Sequence, residues 1–83
     1  MAEENKKVYL TIPFPSSDDA QLAYEVLNVD KELKGVERNI STDKANLIVN
    51  FESSDFKRLR VTVNGFLQNL ILVAKTMGMF NGN

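Results

Sequence analysis

Histidine and cysteine are both absent from this 83-residue sequence, which removes much of the chemistry that a small domain can carry. Without cysteine there is no disulfide framework, no thiolate zinc site and no cysteine nucleophile. Without histidine the commonest general base and metal ligand is missing. The sequence also lacks a phosphate-binding glycine loop and metal-ligand spacing, and no acidic residues point to a catalytic pair. We therefore predict a chain that is not an enzyme and binds no cofactor or metal.

The sequence also has a small net charge and no long apolar run. The formal net charge is -1, so no global field attracts nucleic acid or an anionic membrane. The longest apolar run is far short of the ~20 residues needed to span a bilayer. The polar start "MAEENKKV" lacks the apolar core of a signal peptide. We expect a soluble intracellular protein with one domain over residues 7–80, a flexible lead-in over 1–6 and a flexible tail over 81–83.

Hydrophobic periodicity predicts the element order strand, helix, strand, strand, helix. The stretches "VYLTIPF", "VERNIST" and "NLIVNFES" alternate as half-buried strands do, and the turn-rich "TDKAN" joins the last two as a hairpin. Ser16 or Ser17 can cap the first helix, and Ser54 or Asp55 can cap a second helix of about 24 residues. The simplest architecture is an α+β fold, in which a three-stranded antiparallel sheet carries both helices on one face.

The second helix carries apolar residues on two faces. At about 100° per residue, one broad arc is expected to cover the sheet and the first helix. This inner arc contains Phe56, Leu59, Val63, Phe66, Leu67, Leu70, Val73, Ala74 and Met77. The roughly opposite outward stripe contains Val61, Gly65, Leu72 and Met79, with Thr76 nearby and Gln68 at its edge, and the first helix adds Leu22, Val26 and Val29. Single exposed apolar side chains occur on any surface, but two adjacent stripes on so small a domain predict a platform for a partner's helices.

Two further features leave alternatives open. Lys57, Arg58 and Arg60 lie in the first turns of the second helix, where cations oppose the helix dipole. They are either solvated charges, with the Arg60 stem along the edge of the core, or contacts to a phosphate or a nucleic-acid backbone, and the slightly acidic net charge favours the first. The two free edges of the predicted sheet either pair with another chain or stay solvated, and the residues support both equally.

The segments "TIPFPSSDDAQLAYEVLNVDKEL" and "LRVTVNGFLQNLILVAKTMGMF" resemble the Pcc subunit family of the KEOPS (EKC) complex, whose mammalian relatives are the LAGE/CTAG antigens. The resemblance covers residues 8 to 80. It departs at Gln68, where the family usually has an acidic residue, and this affects the expected partner contacts in detail. The matching positions are Pro13-Phe14-Pro15, Leu27, Asp30, Glu32, Leu33, Leu59-Arg60-Val61, Asn64, Phe66, Leu67, Leu70, Leu72, Val73, Thr76, Met77 and Phe80.

The resemblance implies a non-catalytic subunit of the cytoplasm and nucleus. Such subunits bind the Kae-type threonylcarbamoyltransferase through their two helices, in a complex that also holds a Bud-type kinase and makes threonylcarbamoyladenosine in tRNA. They form homodimers, or pair with a further small subunit, through the sheet, and they contact tRNA only within the complex. The family is also linked to telomere maintenance and transcription. The alternative is a free-standing RNA-binding module of KH-like topology, although the Gly-x-x-Gly loop of KH domains is absent.

Overall fold

The computed structural model describes residues 5–28 and 35–78, and its elements follow the predicted order. They are β1 (Lys6–Pro13), α1 (Ser17–Leu27), β2 (Glu37–Asp43), β3 (Asn46–Ser53) and α2 (Phe56–Thr76). Of the segments predicted to be flexible, residues 1–4 and 81–83 lie outside the described residues, whereas Lys6 belongs to β1. Within the described ranges, neither helix is long and apolar enough to cross a membrane.

The sheet is antiparallel, with β3 at its centre and the strand order β1-β3-β2. Asn50 of β3 shows the register, because Tyr9 of β1 and Asn39 of β2 lie opposite it on either side. The predicted hairpin between β2 and β3 is confirmed, and its tight loop places Lys44 at a φ of 60°. Because β3 is paired on both sides, β1 and β2 are the edge strands of the sheet.

The core lies between one face of the sheet and the two helices, as the alternation of the strands predicted. Leu47, Val49 and Phe51 of β3 point into it and are at most 1% exposed. Helix α1 contacts β2 and β3, while α2 contacts β3 and α1. The rings of Phe51 and Phe66 meet edge to face, with their centroids 5.4 Å apart. Burying such a large apolar side chain contributes about 1.5–3 kcal/mol, so this layer holds α2 in place despite its β-branched residues.

Side-chain caps fix where the two helices begin. The Ser16 hydroxyl accepts a hydrogen bond from the Asp19 amide at 3.1 Å. The Asp55 carboxylate accepts hydrogen bonds from the amides of Lys57 and Arg58 at 3.0 and 3.2 Å. Each cap stabilises its helix by about 1 kcal/mol. Helix α2 has 21 residues, fewer than the sequence predicts, because it ends at Thr76.

The predicted inner arc of α2 is correct except at its first member. Phe56 is 60% exposed, so the prediction that it covers the sheet is wrong. Helical spacing fixes the direction in which a side chain points, but burial also needs a layer beneath it. Phe56 is the first residue of α2 and follows the end of β3 by only three residues, and its side chain is left largely in water there. The other members are buried or pack against the core: Leu59, Val63, Phe66, Leu67, Leu70, Val73, Ala74 and Met77.

Candidate partner-binding groove

A groove of about 620 Å³ opens between α1 and α2 above the sheet. Its walls come from the two helices, and core side chains reach its base from the sheet and from both helices. Apolar side chains make up most of this lining, so the groove fits the apolar side of a helix or a similar segment. Its lining residues are Val26, Leu27, Arg38, Phe51, Val61, Thr62, Gly65, Phe66, Asn69, Leu72 and Val73.

The structure exposes the predicted outward stripes and brings part of them together. Val61 is 69% exposed and Leu72 is 61% exposed, which are high values for apolar side chains on a helix. These two residues line the groove with Gly65 and with Val26 of α1. Other members of the predicted stripes, Leu22, Gln68 and Thr76, are exposed but do not line the groove, and Val29 and Met79 lie outside the described residues.

Three polar residues of the groove were missed by the sequence analysis. Thr62 and Asn69 are seven residues apart, so they share a face of α2 at the boundary between the inner arc and the outward stripe. Arg38 occupies an inward position of β2, where the alternation of the strand placed it among apolar residues. A charged residue on the core side of a strand was the signal that the helices do not fully cover the sheet there.

Gly65 leaves a gap in the α2 wall of the groove because it has no side chain. A Cβ atom added there would meet no atom within 4 Å, so packing inside the chain does not require glycine. Glycine in the interior of a helix costs roughly 0.5–1 kcal/mol relative to alanine. The space above Gly65 therefore lets the backbone of another segment approach α2 closely.

The basic residues at the start of α2 divide into two sets. Arg58 faces Asp55, with Nε 3.3 Å from a carboxylate oxygen, and its stem runs beside Gly35. Lys57 and Arg60 are exposed, although Arg60 was expected along the edge of the core. The Asp55 cap already accepts hydrogen bonds from the Lys57 and Arg58 amides, so these amides do not form an open phosphate site.

The outer face of the sheet is polar and offers a second, shallower contact surface. A depression of about 90 Å³ there is lined mainly by polar residues, among them Tyr9, Asn39 and Asn50. Tyr9 is 66% exposed, and the buried side-chain oxygen of Asn50 has no hydrogen-bond partner. Across residues 5–28 and 35–78 there is no group of three or more acidic residues arranged to hold a metal ion.

Comparison with known proteins gives a family for this fold. The family model described as "Transcription factor Pcc1" matches residues 7–78, which cover all five elements of the fold except Lys6, the first residue of β1. Among solved structures, the chain is similar to one in the "Crystal structure of binary complex Gon7-Pcc1", with a TM-score of 0.82 and 29% identity. The similarity covers 89% of this chain and 94% of that one.

The chain is also similar to curated fungal and human proteins. It is 41% identical over 73 residues to the EKC/KEOPS complex subunit SPAC4H3.13 of Schizosaccharomyces pombe, covering 86% of this chain and 83% of that protein. It is 33% identical over 73 residues to the human EKC/KEOPS complex subunit LAGE3, where 86% of this chain spans about half (51%) of the relative. The EKC/KEOPS complex subunit PCC1 of Debaryomyces hansenii is 30% identical over 77 residues, covering 90% of this chain and 77% of that protein.

Proposed function

The chain belongs to the Pcc1 family, and from this premise we propose that it is a non-catalytic assembly subunit of a KEOPS (EKC) complex that makes threonylcarbamoyladenosine in tRNA. Its curated relatives are named as subunits of that complex, and two of them match it over more than three quarters of their own length. The lack of histidine and cysteine in the sequence supports a role in assembly rather than in catalysis.

The helical side of the domain binds the Kae-type threonylcarbamoyltransferase. The observation that carries this proposal is the groove between α1 and α2, whose α2 wall leaves Val61 and Leu72 more than 60% exposed. A partner helix laid in the groove would bury both side chains and pass over Gly65. The axes of two packed helices lie about 8–10 Å apart depending on the side chains at the contact, so a glycine at the contact allows the closer distance.

The sheet side binds either a second copy of the chain or a further small subunit. The similarity to a chain from a Gon7-Pcc1 complex supports a small protein as the second partner. With the transferase on the helices and a small subunit on the sheet, the domain bridges two partners and meets the Bud-type kinase only indirectly. The proposal includes a location in the cytoplasm and nucleus and a link to telomere maintenance and transcription, which the family resemblance implies.

Replacing an exposed apolar residue of the groove by aspartate tests the binding proposal. We expect Val61→Asp and Leu72→Asp to keep the isolated domain folded, because both side chains already face water. Each variant should bind the transferase subunit about 100-fold more weakly, because a packed interface would bury an unpaired carboxylate. Titration calorimetry with purified transferase subunit measures the affinity, and circular dichroism checks the fold.

Two further variants make the test specific. Ile71→Asp makes the same change on α2 at a residue that is 46% exposed and does not line the groove, so it should leave binding intact. Leu70→Ala on the inner arc should instead destabilise folding by about 2–5 kcal/mol. Unfolding of the Val61 and Leu72 variants would assign these residues to the core, and unchanged binding would move the transferase site to another surface.

The alternative function, a free-standing RNA-binding module, makes an opposite prediction. Such a module binds RNA alone near physiological salt, with an affinity that falls as the salt concentration rises. No feature of the fold favours it over the assembly role, because the net charge of the chain is -1 and the N-terminal amides of α2 are capped.

A further inference from the structure

Phe56 is an exposed aromatic residue in a basic setting. Its ring is 60% exposed at the first position of α2, where helical spacing had predicted a core side chain. Each Å² of apolar surface that a phenyl ring leaves in water loses about 25 cal/mol of the free energy that burial would provide. Its neighbours along α2 are Lys57, Arg58 and Arg60, so a ligand that meets the ring also meets cations.

The helix brings one of these cations to the same face as the ring. Phe56 and Arg60 are four residues apart and therefore share one face of α2, whereas Lys57, the residue after Phe56, is exposed on the adjoining side of the helix. Arg58 points to another side, where it faces Asp55 and runs beside Gly35. The exposed set at this end of the molecule is therefore Phe56, Lys57 and Arg60.

Edge strand β1 adds one lysine at the same end of the sheet. Lys6 lies opposite Ser53, two residues before the Asp55 cap, whereas Lys7 lies opposite Glu52 on the outer face of the sheet. Both lysines are exposed. Although the chain as a whole has a net charge of -1, this end therefore combines an aromatic ring with exposed cations from two elements.

We propose that Phe56 is a stacking platform for an unpaired base of tRNA, with Lys57 and Arg60 holding the adjacent phosphates. The inference rests on the proposed function, because it gives a residue-level role to the tRNA contact within the complex. Aromatic side chains beside cations are the usual means of holding single-stranded nucleotides, since every base has a π-face. A protein that buried Phe56 would also have to desolvate Lys57 and Arg60, whereas a nucleotide satisfies the ring and the cations together.

This site is too small to hold tRNA by itself. Two or three phosphate contacts weaken steeply as salt rises, and one stacked base adds a modest amount. We therefore expect no measurable tRNA binding by the isolated chain near physiological salt. Within the complex, a larger tRNA-binding surface would raise the effective concentration of the nucleotide at Phe56.

A fluorescent oligonucleotide tests the proposal on the isolated chain at about 10 mM salt, where screening is weak. The probe is a short single-stranded RNA with one 2-aminopurine, whose emission falls when the base stacks on a ring. We expect the wild-type chain to quench it, and Phe56→Leu to abolish the quenching and weaken binding about 5- to 150-fold, as loss of one stacked base predicts. Phe56→Leu should leave the salt dependence of binding unchanged, because it removes no cation.

The matched charge variant is Lys57→Glu with Arg60→Glu, which should lower the slope of affinity against salt while the residual complex still quenches the probe. Absence of wild-type quenching, or equal quenching by Phe56→Leu, would overturn the stacking role. Weaker transferase binding by Phe56→Leu with unchanged oligonucleotide binding would assign the ring to a protein interface and also overturn it. The oligonucleotide assay contains no partner protein. A negative result would therefore not contradict transferase binding in the groove, which the Val61→Asp and Leu72→Asp variants test separately.

Discussion

Ser53 joins three parts of the fold through one hydroxyl group. It is 4% exposed at the end of β3, and its hydroxyl donates to the Gly35 carbonyl at 2.6 Å and accepts from the Asp55 amide at 3.0 Å. The first bond holds the chain as it enters β2, and the second fixes the residue that caps α2. Gly35 has a φ of +79°, which glycine adopts without strain. The Ser53 side chain therefore ties the start of the groove-forming helix to the chain that enters β2.

We predict that Ser53→Ala lowers the free energy of unfolding by about 1–3 kcal/mol. Alanine fits the space, but the Gly35 carbonyl and the Asp55 amide lose their partner, and two part-buried hydrogen bonds of about 0.5–1.5 kcal/mol each give this range. Urea denaturation measures the change, with an unchanged slope against urea expected. The control Ser54→Ala, at an exposed neighbour, should change stability by less than about 0.5 kcal/mol. Equal stability of the two variants would show that solvent replaces the Ser53 hydrogen bonds.

At the scale of elements, α2 combines a stabilising inner arc with a groove wall that contains a glycine. We predict that Gly65→Ala raises the free energy of unfolding by about 0.5–1 kcal/mol, because the added methyl group meets no atom within 4 Å and alanine favours the helix. The same methyl group should weaken transferase binding if a partner backbone passes over Gly65. Thermal unfolding of the wild-type and Gly65→Ala proteins measures the change in stability, and titration calorimetry with the transferase subunit measures the change in affinity.

If Gly65→Ala is more stable than the wild type but binds the transferase subunit with unchanged affinity, no partner backbone passes close to Gly65. That result would not contradict binding at the other residues of the groove. Asn64→Ala provides the control, since it replaces an exposed residue of the same helix that does not line the groove. It should bind the transferase subunit with unchanged affinity. The comparison separates the helix preference for alanine from contact at the interface.

The elements also show what periodicity can and cannot predict. The alternation of Leu47, Val49 and Phe51 predicted which face of β3 is buried, because side chains in a strand have a period of two. The spacing along α2 predicted the direction of Phe56 but not its exposure, since a sequence pattern does not show where the sheet beneath ends. The groove residue Arg38 was missed for a related reason, because the distance between the two helices is a property of tertiary packing.

For the whole molecule, size and layer order explain why two contact surfaces are expected. A domain of this length buries a low fraction of its surface, and both helices lie on one face of the sheet. The inward side chains of edge strand β1 are only half-buried, and no chain pairs with its outer edge in the described fold. Pairing with a second copy would bury that apolar surface and satisfy the free backbone groups of the edge.

We therefore predict that the isolated chain is a homodimer at micromolar concentration, associated through its sheet. Sedimentation velocity measures the mass, and a monomer with a sharp thermal transition at that concentration would contradict the prediction. Two outer-face variants locate the contact: Tyr9→Asp on β1 and Ser41→Asp on β2, both at exposed positions. In a two-fold dimer a residue near the axis meets its own copy, so one added carboxylate per chain creates a repelling pair. Dissociation by Tyr9→Asp alone assigns the contact to the β1 edge, whereas dissociation by both variants assigns it to the whole outer face.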